Sequence, residues 1–181
     1  MPLLQILTAP DPRLTQVCRD VREDEFGPEL EAFVQDMAET MYHAPGVGLA
    51  APQVGDLRRF LVADPGGEDE EGNPERGTAF FVLINPVIVE ASEELMVWEE
   101  GCLSLPEFWQ EVDRPRRIRV AFRDVHGASH ERVFEDFPAI VVQHEMDHLN
   151  GITLVDKGSR FKKSRYLKAR KKLRAQLDAG A

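Results

Sequence analysis

In the segment Gln143-His144-Glu145-Met146-Asp147-His148, two histidines stand four residues apart and a glutamate directly follows the first. An α-helix completes a turn in about 3.6 residues, so on a helix both imidazoles share one face and can hold one metal ion. The Glu145 carboxylate is long enough to reach a water on that ion, taking a proton as general base and returning it as general acid. The chemistry implied is metal-assisted hydrolysis. The H-E-x-x-H pattern is only moderately specific, because the same spacing arises by chance in solvated helices. A third ligand decides its meaning.

Cys102 offers one. It lies in Glu99-Glu100-Gly101-Cys102-Leu103-Ser104-Leu105-Pro106, directly after an apolar run through Met96, Val97 and Trp98. A thiolate added to two imidazoles leaves a coordination position for water, and open three-ligand sites are catalytic ones. The bland alternative is a buried apolar cysteine, which is the reading adopted for Cys18 among Gln16, Arg19 and Asp20. His43, His126 and His130 are the other candidate ligands. The first occupies a helix C-terminus and the others flank an exposed turn, so all three read as surface residues.

A further element is Gly46-Val47-Gly48-Leu49-Ala50-Ala51-Pro52-Gln53-Val54-Gly55, whose small residues let backbone approach a ligand closely. No Lys-Ser/Thr ending follows and no G-x-G-x-x-G completes itself, which argues against nucleotide phosphate. Gln53 then reads as a neutral amide donor aimed into the site. With the backbone N–H of Leu103 it can hold the oxyanion of a tetrahedral intermediate, a contribution of roughly 3 kcal/mol per donor. The alternative for Gln53 is a side chain that caps its own turn.

These residues need elements to hold them. Leu30, Phe33, Val34, Met37 and Met41 recur at helical spacing and end at Ala44-Pro45-Gly46, so a first helix packs a core face there. Strands are expected at 59–63, 80–84 and 94–98, and a hairpin from Ile118, Val120 and Phe122 through His126-Gly127 to Val133. Asp136 to Asn150 is the metal-site helix, with cap chemistry at Asp136 and at Asn150-Gly151. The segment 64–78 is rich in Gly, Pro and acids and reads as an exposed mobile loop without catalytic duty. A last helix over 161–178 places Tyr166, Ala169, Leu173 and Leu177 on one face amid Lys and Arg. This order predicts one compact α+β domain over residues 1–181. Short antiparallel or mixed β-sheets would pack around the central metal-binding helix, with a basic C-terminal helix at 157–178.

The chain is long enough, at 181 residues, to bury a core without disulfides, and its two cysteines offer no disulfide framework. No run reaches the roughly 18 apolar residues of a membrane helix. The start, Met1-Pro2-Leu3-Leu4-Gln5, lacks the pattern of a secretory or transit peptide, so a cytoplasmic protein is expected. The net charge of −10 is uneven: ten of the 22 Lys and Arg lie between Lys157 and Arg174, where there is no acid, and 31 of the 32 acids precede residue 157. The acidic body would be repelled by DNA, while the basic tail can touch a polyanion.

The segments GVGLAAPQ, EGCLS and QHEMDH occur here in the order found in bacterial-type peptide deformylases, and Ile6-Leu7 with Asp11-Pro12-Arg13-Leu14 is similar to that family's N-terminal segment. The sequence therefore resembles the peptide deformylase family, over residues 46–148 through three motifs and more loosely to the start. The resemblance implies that Cys102, His144 and His148 are metal ligands and Glu145 the catalytic carboxylate. It implies that Gln53, the Leu103 amide and the metal polarise a formyl carbonyl, and that the Gly48 backbone bonds the substrate peptide. Val47, Ile140 and Val141 would line a methionine pocket, and Glu100 would stand behind the ligands with Arg114 as its ion-pair partner. The implied cofactor is one divalent ion, typically Fe(II) in this family, with zinc, nickel or cobalt able to occupy the site. The implied reaction removes the N-terminal formyl group from formyl-methionine of nascent polypeptides and releases formate.

Two departures stand out: Phe108 and Trp109 follow EGCLSLP where many relatives have polar or basic residues, and the 64–78 loop is longer than in short members. A zinc peptidase is the rival enzyme, but it predicts a downstream His or Glu ligand; no His follows His148, and the downstream acids are Asp156 and Asp178. A non-catalytic ribosome-associated protein is the other rival, against which the intact Glu145 and ligand set speak. Partners expected on this reading are N-formylmethionyl peptides and a ribosome contact through the basic C-terminal helix, with no DNA, no membrane, and a monomeric state.

Overall fold

The stripe beginning at Leu30 forms helix α1 (Pro28–His43), with Leu30, Val34, Met37 and Met41 buried. Pro28 suits the first turn, where its missing N–H costs no hydrogen bond. The computed structural model describes residues 3–44, 46–68, 74–75 and 77–179. Its further elements are β1 (Gly48–Ala50), β2 (Phe60–Ala63), β3 (Gly67–Glu68), β4 (Pro74–Glu75), β5 (Phe81–Ala91), β6 (Leu95–Gly101), β7 (Trp109–Pro115), β8 (Arg117–Arg123), β9 (Ser129–Glu135), α2 (Asp136–Leu149), α3 (Leu154–Lys157) and α4 (Arg160–Ala179). This is the α+β domain the sequence predicts.

A five-stranded antiparallel sheet runs in the order β1-β2-β5-β8-β9, while β3-β4 and β6-β7 form separate hairpins. Strand side chains alternate between faces, and the central strands show why β2 is apolar throughout. Phe60, Val62 and Ile84 pack with Leu30, Met37 and Met41 of α1 on one face. Leu61, Leu83, Ile118 and Val120 pack with Ala139, Val142, Met146 and Leu149 of α2 on the other. Each of the larger of these side chains, fully buried, contributes about 1.5–3 kcal/mol of transfer free energy. The helix carrying H-E-x-x-H is therefore pressed against the middle of the sheet.

Its ends differ in part from expectation. Gly151 adopts φ +70, and a Cβ there would lie 2.7 Å from the Thr15 carbonyl oxygen, so the Asn150-Gly151 stop requires glycine. At the start, Glu135 holds the cap position and makes no side-chain cap bond. Asp136 does not cap; it takes φ +53 and pairs with Arg116 at 2.6 Å.

The 64–78 segment is more tied down than its composition suggests. Asp64 is buried and accepts from Tyr42 Oη at 2.6 Å and from the amides of Gly66, Gly77 and Ala79. Burial opposes its charge, yet these donors hold its carboxyl below the usual value. Residues 69–73 and 76, where the acids were expected to be exposed, lie outside the described residues.

Helix α4 docks with Tyr166 of the face its spacing suggests but not with the rest of that face. Tyr166, Leu167 and Arg170 turn toward the body, whereas Leu173 and Leu177 are exposed. Arg170 donates to the Ala9 carbonyl and to Thr8 Oγ1, both at 3.4 Å. No helix among the described residues is long and apolar enough to cross a membrane.

Candidate metal centre and substrate cleft

Helical spacing places His144 and His148 on the face of α2 away from the sheet, their rings 5.2 Å apart. The end of β6 brings Cys102 to them. Cys102 Sγ lies 3.2 Å from His148 Nε2, and one ligand atom from each of the three residues falls within 4.8 Å of the others. Tetrahedral ligands bonded at about 2.0–2.3 Å sit roughly 3.5 Å apart, so one divalent ion fits between these donors. The donor set fits too. His144 Nδ1 is bonded to Glu100 Oε2 at 2.7 Å, which leaves Nε2 for an ion and fixes the ring.

Behind the triad, Glu100 and Arg114 are buried and joined by two bonds, Nε to Oε1 at 2.5 Å and a terminal nitrogen to Oε2 at 2.9 Å. Arg114 also reaches Asp147 at 2.8 Å. Burial works against the Glu100 charge, but Arg114 and His144 hold its carboxyl below the usual value. His144 is also penalised by burial, yet contacts with Cys102 and Glu100 raise its pKa well above the ordinary value. For His148, burial first and then the charges of His144 and Arg114 push the pKa well below the ordinary value. Asp147, inside the motif, was not singled out from sequence; it is the second carboxylate on the buried guanidinium and also pairs with Lys157 at 3.0 Å.

Glu145 turns toward the centre from the same helix. It is 4% exposed, and its Oε2 has no hydrogen-bond partner among the described residues. Burial first, then the charge of Glu100, pushes its pKa up to about 7, the range that suits a group exchanging protons near neutrality. Strand β1 runs against it: a Cβ on Gly48 would meet Glu145 Oε1 at 2.5 Å and Cγ at 2.8 Å. Gly48 thus admits the β1 backbone to the Glu145 carboxylate itself.

Gln53 caps its own turn and also reaches the donor cluster. Its Oε1 accepts from the Ala50 amide at 2.8 Å, capping its own turn, and its Nε2 points to Cys102 Sγ at 3.6 Å and Ser104 Oγ at 3.2 Å. Ser104, fully buried, orients the carboxamide and was not identified from sequence. The Leu103 amide donates to no group among the described residues. His43, His126 and His130 lie elsewhere, the last two beside Glu31 and Asp124.

A cleft of about 480 Å³ opens over these groups. Val47, Ile140 and Val141 line it, with the Phe137 and Trp98 rings tilted against each other at 5.2 Å between centroids. An open cysteine and imidazole donor set, a buried carboxylate beside it and an apolar cleft suit a metal-dependent hydrolase.

Comparison with known proteins places the chain within that class. The family model described as polypeptide deformylase matches residues 3–164. A peptide deformylase of Rhizorhabdus wittichii is 47% identical over 175 residues, covering 96% of this chain and 97% of the relative. The crystal structure of peptide deformylase from Ehrlichia chaffeensis superposes with a TM-score of 0.85 at 35% identity, covering 97% of this chain and 99% of that one. The class I type b peptide deformylase of Acinetobacter baumannii, solved with Met-Ala-Ser bound, has a TM-score of 0.78 at 32% identity, covering 87% and 99%. The chain belongs to the polypeptide deformylase family.

Proposed function

We infer that this chain removes the N-terminal formyl group from formyl-methionine of nascent polypeptides, releasing formate. The observation that carries this reading is the unpartnered, buried Glu145 Oε2 beside the Cys102, His144 and His148 donors. Cys102, His144 and His148 would hold one divalent ion, which supplies Lewis acidity toward the formyl oxygen and lowers the pKa of water. Fe(II) is our choice of native ion on the family resemblance, since a thiolate with two imidazoles also suits zinc, nickel or cobalt. Glu145 takes a proton from the attacking water and passes it to the leaving amine. Gln53 Nε2 and the Leu103 amide donate to the oxygen as it gains charge. The Gly48 backbone bonds the substrate chain, and Val47, Ile140 and Val141 hold the methionine side chain. Met-Ala-Ser, bound by the Acinetobacter relative, begins with the methionine that this reaction frees.

The test is anaerobic formate release from formyl-Met-Ala-Ser by Fe(II)-loaded protein beside Glu145→Gln. Loss of the proton-transferring carboxylate should slow release by about 10²–10⁴-fold. Equal release by both proteins, or none by either, overturns the reading.

We further propose a monomeric cytoplasmic enzyme of one domain whose α4 meets the ribosome. Supporting this, Lys168, Lys171, Lys172 and Arg174 belong to a cationic run on the part of α4 that packs least against the body. Reversing those four charges should abolish salt-sensitive cosedimentation with ribosomes; unchanged cosedimentation refutes the contact.

A further inference from the structure

On the reading just given, the formyl group sits at Glu145 and Cys102 and the methionine side chain among Val47, Ile140 and Val141. The rest of the peptide must leave through the mouth of the cleft. Among its lining side chains there, Trp109 is the most exposed aromatic, at 58%, against 40% for Trp98, whose ring already packs at a tilt against Phe137. Trp109 pairs with Gly101 across the β6–β7 hairpin. A Cβ on Gly101 would meet three atoms of the indole's six-membered ring at 2.8–3.1 Å. Gly101 thus provides a floor on which the indole lies flat, one residue from Cys102, with its other face open.

The backbone under that indole is held from a separate element. Lys162 Nζ of α4 donates to the Trp109 carbonyl at 2.6 Å and to Gln110 Oε1 at 2.9 Å, and sits 5.0 Å from the Phe108 ring centre. Tyr166 Oη donates to the Pro106 carbonyl at 3.0 Å while its ring packs on Phe108 at 5.0 Å. The residues on both sides of Trp109 are therefore tied to α4. A large aromatic left half in water, laid flat on a glycine and fixed through its own carbonyl, is a built contact surface.

We propose that Trp109 is a specificity-determining residue that reads the substrate beyond methionine, favouring an aromatic side chain at the second or third position, and that Lys162 and Tyr166 are the positioning residues that set the indole. Contact with the open indole face lowers KM for such peptides and leaves the proton transfers at Glu145 untouched. The chemistry is that of an offset or edge-on aromatic pair in partly wet surroundings.

The test uses the full-length, metal-loaded protein and three peptides, formyl-Met-Ala-Ala, formyl-Met-Phe-Ala and formyl-Met-Ala-Phe. Wild-type protein should show a KM about fivefold lower for at least one phenylalanine peptide than for the alanine peptide. Trp109→Ala should bring that ratio close to one, and Trp109→Phe should restore most of it. Lys162→Met combined with Tyr166→Phe should give an intermediate KM ratio without changing the kcat ratio, an outcome that mere loss of stability does not produce. A KM ratio unaltered in Trp109→Ala overturns the inference while leaving deformylation intact. Absence of formate from every peptide overturns deformylation and, with it, this inference. A binding readout is independent of turnover: the chain has two tryptophans, so Trp98→Phe leaves Trp109 as sole emitter. Met-Ala-Phe should quench or shift its emission saturably and at lower concentration than Met-Ala-Ser; unchanged emission refutes the contact.

Discussion

Substituting Gly48 by alanine tests whether β1 sets the position of Glu145. The added Cβ would stand 2.5 Å from Glu145 Oε1, 2.8 Å from Cγ and 2.9 Å from Cδ, where ordinary contact begins at 3.4 Å. The carboxylate would have to retreat by about 0.9 Å, or β1 would have to peel from β2, to which it is joined through Gly48↔Ala63 and its neighbours. The side chain is the softer partner, because the strand is hydrogen-bonded and fully buried while Glu145 Oε2 has no bond to lose. Overpacking of this kind costs about 1–3 kcal/mol of stability, which a domain of this size survives. Misplacing a reacting group by about 1 Å costs on the order of 10²-fold in rate. Gly48→Ala should therefore remain folded by circular dichroism and release formate from formyl-Met-Ala-Ser at roughly one hundredth of the wild-type kcat/KM. Activity within twofold of wild type, in a protein whose melting temperature is unchanged, would refute the argument that glycine is there for Glu145.

Glu100→Gln leaves the buried Arg114 short of a carboxylate and weakens the bond that fixes His144; metal retention against a chelator should fall about 10–100-fold, with unchanged retention counting against the supporting role. Asp64→Asn should destabilise the fold at neutral pH by about 1–3 kcal/mol through loss of a charged acceptor for Tyr42 and three amides. The folded pKa of Asp64 lies below its ordinary 3.8, so its stabilisation is present above that value and fades as pH falls through the folded pKa. Denaturant midpoints of wild type and Asp64→Asn should accordingly converge in acid, and a constant gap from pH 7 to pH 2 would contradict this. Arg119→Ala removes exposed pairs with Glu90 and Glu131 and should change stability by less than about 1 kcal/mol, measured by the same denaturation.

What could be read from sequence follows from which residues obey a simple period. Helices α1 and α2 bury apolar side chains at helical spacing, and the three motif segments keep their chemistry in unbroken runs. β7 escaped notice because its inward positions are Val112 and Arg114, and a buried arginine breaks the alternation that marks a strand. It is extended by its full pairing with β6, which brings Arg114 to Glu100 and Asp147. β1 is Gly-Leu-Ala, without β-branched residues, and is extended only through its partner β2. Asp64 looked like the first acid of a solvated loop, since nothing local reveals that Tyr42 and distant amides converge on it. In α4 the period was sound, but the docking face was chosen by Tyr166, Leu167 and Arg170 meeting the 106–110 and N-terminal segments, contacts far apart in sequence.

The seating of α2 against the middle of the sheet governs how the site ages and how it diversifies. Amides of Gln143 to His148 belong to the segment whose opposite face is the main core, so they should exchange with solvent only when the whole domain opens. The H-E-x-x-H donors then persist as long as the native state itself. The β6–β7 hairpin shares no strand pairing with the main sheet and meets α2 through Glu100 and Arg114, so Trp109 at its far end lies apart from those ties. Changes at the rim and the burial of Glu145 on that helix are then set by separate parts of the fold.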